Sequence, residues 1–133
     1  MSQPTLPVVS PYERLGGEAG LRSLVHRFYT LMDTLPEAKG IRALHPASLA
    51  GSEDKLFKFL SGWLGGPPLY TQEYGHPMLR RRHLPFAIGD RERDAWMLCM
   101  DRALAERDLE DAFVAALREA LYRTADHMRN QPE

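Results

Sequence analysis

The sequence predicts an all-α fold in a single domain, and three observations carry that expectation. Apolar residues recur at three- and four-residue spacing in four long stretches, the mark of amphipathic helices. No stretch shows the β-branched alternation of a sheet, and Val and Ile are few. A chain of 133 residues, 44% hydrophobic and 26% charged, has the size and balance of one globule that buries its core without staples.

Taken in order, residues 1–10 read as a flexible arm and residues 11–130 as the domain. Ser10 is the expected N-cap of a brief first helix, with Pro11 at its first position and Glu13 placed for a capping box. Gly16-Gly17 interrupts that helix and permits a sharp turn. From Glu18 to about Asp33, Leu21, Leu24, Val25, Phe28, Leu31 and Met32 form one stripe, with Tyr29 at its border. Pro36 ends the element, and turns are expected through His45-Pro46. A helix starting after Gly51 or Ser52 runs to Leu64, with Leu56, Phe59, Leu60 and Trp63 as its main face and Phe57 and Leu64 widening it.

Gly65-Gly66-Pro67-Pro68 is a stop, and the segment through Tyr74 reads as loop or short turns. A short helix is expected over Met78 to His83, limited by Pro85. Asp90 is the expected cap of the next helix, whose inward face is Trp96, Cys99, Met100, Ala103 and Leu104. A last helix over about 109–128 presents Phe113, Ala116, Leu117, Ala120, Leu121 and Thr124. The wide, irregular span from Gly65 to Gly89 is long for a plain connector, and such segments usually frame something.

Composition removes several function classes. With 17 basic and 18 acidic residues the chain lacks the charge for bulk capture of nucleic acid. A single cysteine, Cys99, excludes an internal disulfide, a multi-cysteine iron–sulfur cluster and a CxxCH attachment; its place on an apolar face suits an inert core thiol. There is no HExxH or CxxC, Glu-x-x-His occurs once (Glu73 to His76) and not as the repeated pair a di-iron bundle needs, and neither glycine pair has the strand–loop–helix setting of a nucleotide loop. No apolar run approaches the ~20 residues of a membrane span. Residues 1–11 carry three prolines and no signal-peptide pattern, so a cytoplasmic location is expected.

Four groups of residues have the means for chemistry. His83 ends a short helix before Leu84-Pro85. A neutral imidazole there can ligate a transition metal through one nitrogen while the other donates to a carbonyl. A helix-terminal histidine favoured by the dipole is the rival role. Of Arg80, Arg81 and Arg82, one can reach a carboxylate or phosphate, and solubility and dipole compensation account for Arg80 and Arg81. Tyr29 and Trp96 each carry a donor at or beside an apolar face, which suits either a small polar ligand or ordinary core packing. His45 is placed to join them, whereas His26 and His127 lie off the apolar faces.

Six motifs in order bring a resemblance. They are Tyr12-Glu13-Arg14-Leu15-Gly16-Gly17, Arg27-Phe28-Tyr29, Trp63-Leu64-Gly65-Gly66-Pro67, Tyr74-Gly75-His76-Pro77, Arg82-His83-Leu84-Pro85-Phe86 and Glu92-Arg93-Asp94-Ala95-Trp96. Over residues 12–130 the chain resembles the truncated haemoglobins, and most closely their second group. The resemblance implies a two-over-two helical sandwich around haem b. It implies His83 as the proximal iron ligand, Tyr29 and Trp96 as distal donors, Leu56 as an apolar distal wall and Ser52 as a small residue near the ligand entrance. Phe59 and Leu60 are further wall candidates, and Arg82 and Lys55 are basic residues beside the haem propionates. His45 stands where many members carry Tyr or Phe.

The function this resemblance implies is reversible binding of oxygen and other diatomic ligands, for transport or sensing. Peroxidase or nitric oxide dioxygenase activity with a separate reductase is the alternative, and a cofactor-free helical interaction module is a third reading. The implied partners are diatomic ligands and an electron-donor protein, with no nucleic acid or membrane, in a monomer or homodimer.

Overall fold

The computed structural model describes residues 9–131, which are helices and connections throughout. Of the arm expected over residues 1–10, residues 1–8 lie outside the described residues. Helix α1 (Pro11–Arg14) opens as its sequence demands, with Ser10 Oγ accepting from the Glu13 N–H at 3.2 Å. Gly16 and Gly17 adopt φ of +100° and +66°, which reverses the chain into α2 (Gly17–Thr34). The buried side of α2 is Leu21, Leu24, Val25, Phe28, Tyr29, Leu31 and Met32, the expected stripe with Tyr29 drawn in.

Two stretches read from sequence as turns are helical. A 3-10 turn (Pro36–Ala38) runs into α3 (Lys39–Ala43), burying Ala38 and Ile41. After the Gly-Gly-Pro-Pro stop, α5 (Leu69–Tyr74) buries Tyr70 against the preceding helix, α4 (Ala50–Trp63). Pieces of five and six residues are too short to be stable helices alone and leave little periodic signal; packing makes them.

Helix α4 (Ala50–Trp63) is rotated from the expected face. Phe57, Leu60 and Ser61 are buried, Leu56 and Phe59 are half-buried, and Trp63 is 37% exposed. The apolar width of α4 therefore serves two surfaces, one toward the core and one beside it. Short α6 (Leu79–His83) begins one residue later than expected, because Met78 sits at φ +47° with its N–H donating to His76 Nδ1 at 3.1 Å.

Helix α7 (Asp90–Ala105) is capped by Gly89 rather than Asp90, since the Glu92 carboxylate accepts the Gly89 N–H at 2.7 Å. Asp90 instead pairs with Arg93 and Arg129 at 3.2 and 3.1 Å. Met97 joins Cys99, Met100, Ala103 and Leu104 inside, and Trp96 stays half-buried. On α8 (Asp111–His127), Leu117 and Leu121 are buried but Ala116 faces solvent.

Helix α2 is the hub, packed against α7 on one side and α4 on another, while α8 packs on α7 and α5 on α4. Phe28, Phe57, Leu21, Met32, Met100 and Leu104 fill the centre. Each such side chain contributes roughly 1.5–3 kcal/mol by leaving water. Helix α1 is tied to the end of α4: the Tyr12 N–H donates to the Leu64 carbonyl at 3.0 Å, and its ring lies against Gly66.

Candidate functional site

His83 stands at the last turn of α6, half-buried, with its Nδ1–H donating to the Leu79 carbonyl at 2.6 Å. A carbonyl can only accept, so the proton is on Nδ1 and the Nε2 lone pair is left for a metal. Helix α6 has no fully buried residue. Its apolar surroundings are wet: Met78, Leu84 and Phe86 are 47, 55 and 42% exposed.

The other three polar aromatics assemble elsewhere, around Phe28. The Phe28 ring meets Tyr29 edge-on at 4.9 Å and Trp96 at 5.0 Å, and Tyr29 meets the His45 ring at 5.9 Å. Tyr29 and Trp96 come from facing helices, α2 and α7, while the α3 terminus delivers His45. Burial, and secondarily the charge of Glu53, pushes the Tyr29 phenol well above its ordinary pKa, so it stays a neutral donor. His45 donates Nδ1–H to the Ile41 carbonyl at 2.7 Å, leaving its Nε2 as an acceptor. His26, as expected, is exposed, and it donates Nδ1–H to Glu53 at 2.7 Å.

Between α4, α6 and the end of α8 runs a groove of about 850 Å³ lined by Phe59, Trp63, Met78, Leu79, Thr124 and Met128 among others. It is within the usual size range of small-molecule sites, and it reaches α6 one turn before His83. Tyr29, His45 and Trp96 do not line it. Leu56 and Phe59 pack partly on the core and Leu60 is inside it, while Ser52 is half-buried near the start of α4.

The two expected basic residues converge on α5. The Arg82 guanidinium lies 5.6 Å from the Tyr70 ring while its Nε donates to the Pro77 carbonyl at 2.7 Å, and Lys55 Nζ lies 5.9 Å from the Tyr74 ring. Tyr70 and Tyr74 are themselves 4.8 Å apart, so α5 gathers both charges along one edge.

These residues fit haem. A histidine with its coordinating nitrogen free sits beside an apolar groove, exposed Leu and Phe side chains flank it, and two cations stand at an edge suited to carboxylates. No group of three or more His, Cys, Asp or Glu side chains suited to a metal ion occurs among the described residues.

Two residues escaped the sequence reading. Arg80, read there as surface charge, donates through Nη1 to the carbonyls of His127 and Arg129, both at 2.8 Å. The Asn130 side-chain amide donates to the carbonyls of His83 and Phe86 at 3.2 and 2.7 Å, and its Oδ1 accepts the Ile88 N–H at 3.0 Å. These contacts span more than 40 residues and leave no local signal. Cys99 is fully buried, its thiol pushed up to about 11 by desolvation, as an inert core thiol requires.

An all-helical sandwich with this histidine and this aromatic cluster defines a small haem globin. The bacterial-like globin family model matches residues 10–130, and the chain belongs to that family, whose cofactor is haem and whose ligands are diatomic gases. The chain is 45% identical over 124 residues to the group 2 truncated hemoglobin YjbI of Bacillus subtilis (strain 168), covering 93% of this chain and 91% of that one. The solved group II 2-on-2 hemoglobin of the plant pathogen Agrobacterium tumefaciens is 49% identical, with a TM-score of 0.89 over 99% of this chain and all of that one. The truncated oxygen-avid haemoglobin of Bacillus subtilis is 43% identical, with a TM-score of 0.82 over 91% of this chain and 99% of that one.

Proposed function

We propose that this protein binds oxygen reversibly through haem b, whose iron His83 would hold through Nε2, with Tyr29 and Trp96 placed to donate to the gas. The observation that carries the reading is the Nδ1–H bond of His83 to the Leu79 carbonyl, which leaves Nε2 as a ligand of defined orientation. Haem supplies the ferrous iron at which a diatomic gas binds. The remaining work belongs to the chain. Leu56, Phe59 and Leu60 exclude water, Arg82 and Lys55 hold the propionates, and Ser52 leaves space at the entrance. Tyr29 donates a hydrogen bond that its raised pKa keeps available, and Trp96 adds an indole N–H.

With its Nδ1–H committed to the Ile41 carbonyl, His45 has Nε2 left as an acceptor for a water, the single Tyr29 O–H being given to the gas. The relative described as oxygen-avid supports oxygen over other gases. The reading extends to a cytoplasmic location, a separate electron-donor protein that restores ferrous iron, and a monomeric or homodimeric state.

Ferric, ferrous and gas-bound absorption spectra test the cofactor; His83→Ala is expected to lose the native axial signature, with partial return on adding imidazole. Stopped-flow and flash kinetics on Tyr29→Phe and Trp96→Phe test the donors. A bond of ~1.5 kcal/mol predicts about tenfold faster oxygen release for each. Unchanged release in both variants would sink the role given to them.

A further inference from the structure

We propose that Asn130 is a positioning residue for His83, acting as the hub of a clasp by which the end of α8 holds the proximal helix. The proposal rests on His83 as the axial ligand. Helix α6 has five residues and buries none fully, so apolar packing does little to locate it. Polar ties from one segment hold both its ends instead. At the start, Arg80 reaches the His127 and Arg129 carbonyls. At the other end, Asn130 donates to the carbonyl of His83 itself and to that of Phe86.

The Asn130 carboxamide is used in both senses. Its two donors take two carbonyls, and its oxygen accepts from Ile88 at 3.0 Å and from Gln131 Nε2 at 3.1 Å. Its backbone N–H adds a bond to the Ile88 carbonyl at 2.8 Å. Residues 83–88 are thereby pinned from within one side chain, and no other residue type of that size carries two donors and an acceptor. The clasp is in turn anchored to α7: Asp126 binds Arg93 at 2.8 Å and Arg129 at 2.7 Å, and Asp90 binds Arg129 at 3.1 Å. A shift of the α8 terminus is therefore passed to the imidazole through the His83 carbonyl, with the Arg82 guanidinium beside Tyr70 as the other tie on α6.

The test compares Asn130→Ala and Asn130→Asp with Leu104→Ala, a core variant remote from α6 that lowers stability alone. Asn130→Asp keeps the acceptor for Ile88 but turns both donors into an oxygen facing two carbonyls, so it is the stronger disruption, and Asn130→Ala, which only removes the side-chain bonds, is the variant measured should Asn130→Asp unfold. Both Asn130 variants are expected to shift the iron–histidine stretching band of the ferrous protein and to lose haem to a scavenger about tenfold faster. In the apoprotein, the Ile88 amide is expected to exchange faster in Asn130→Ala. Leu104→Ala is expected to lower Tm with the band in place. If the Asn130 variants lower Tm while the band and haem loss match the wild type, Asn130 is only structural and the proposal is overturned. Persistence of the band in His83→Ala would overturn the axial assignment instead, so the two failures are distinguishable.

Discussion

Tyr29 and His45 meet edge to face, ring centroids 5.9 Å apart at 74°, with the phenol buried and the imidazole tethered to the Ile41 carbonyl. The pairing ties the middle of α2 to the end of α3, so a donor from one helix is set by a ring from another. Burial of the phenol, with the charge of Glu53 second, commits it to its neutral form.

That commitment has a pH consequence. The folded pKa of Tyr29 lies above the unfolded value near 10, so the unfolded chain releases this proton first as the pH rises. Its contribution is fully present below pH ~10 and is lost as pH rises toward the folded pKa. Denaturant unfolding at pH 8 to 11 is expected to show a steeper alkaline loss of stability in the wild type than in Tyr29→Phe. Parallel slopes for the two proteins would contradict it.

At the opposite end, Asp126 is held below its ordinary carboxylate range by hydrogen bonds from Arg93 and Arg129. A depressed folded pKa means stability present above the unfolded value, about 3.9, and lost as the pH falls through the folded one. The Tm gap between wild type and Asp126→Asn is therefore expected to be constant from pH 5 to 8 and to close in stronger acid. A gap that widens on acidification has the wrong sign for this network.

Gly66 is packed face-on by Tyr12: a Cβ there would lie 2.5 Å from the ring. Gly66→Ala must displace the ring that ties α1 to the end of α4, and a loss of about 1–3 kcal/mol is expected from overpacking. Chemical denaturation measures it. Tyr12→Ala made with Gly66→Ala should recover part of the glycine penalty, and strict additivity would refute the contact.

Cys99, fully buried with its thiol raised to about 11, is expected to resist a disulfide reagent at pH 8 in the folded protein and to react at once in denaturant. Prompt reaction of the native protein would show that α7 opens locally.

How much of this was readable before the structure differs by element. The stripes on α2 and α7 named most of the buried core because each helix spans several turns against one partner, which makes the period visible. Trp63 was misplaced on α4 for the same reason in reverse. A helix with two apolar surfaces has no single stripe, and nothing local distinguishes the side that meets the core from the side that meets a groove. Ala116 and Met97 were exchanged between surface and interior by a small rotation of each helix that only its neighbours set.

His83, Tyr29, Trp96 and Arg82 were picked out by residue type and motif, since imidazole, phenol, indole and guanidinium chemistry belongs to the residue wherever it sits. The sequence by itself determined the helical class, the four long helices, the inert buried Cys99 and which side chains have the chemistry for a haem site. Tertiary structure alone decided the short helices α3 and α5, which are below the length at which a helix holds itself. It also decided the Tyr29–His45 pairing and the grip of Asn130 on His83, across 47 residues. A hydrogen bond of that span depends on where two distant segments come to rest, and that is a property of the packed whole.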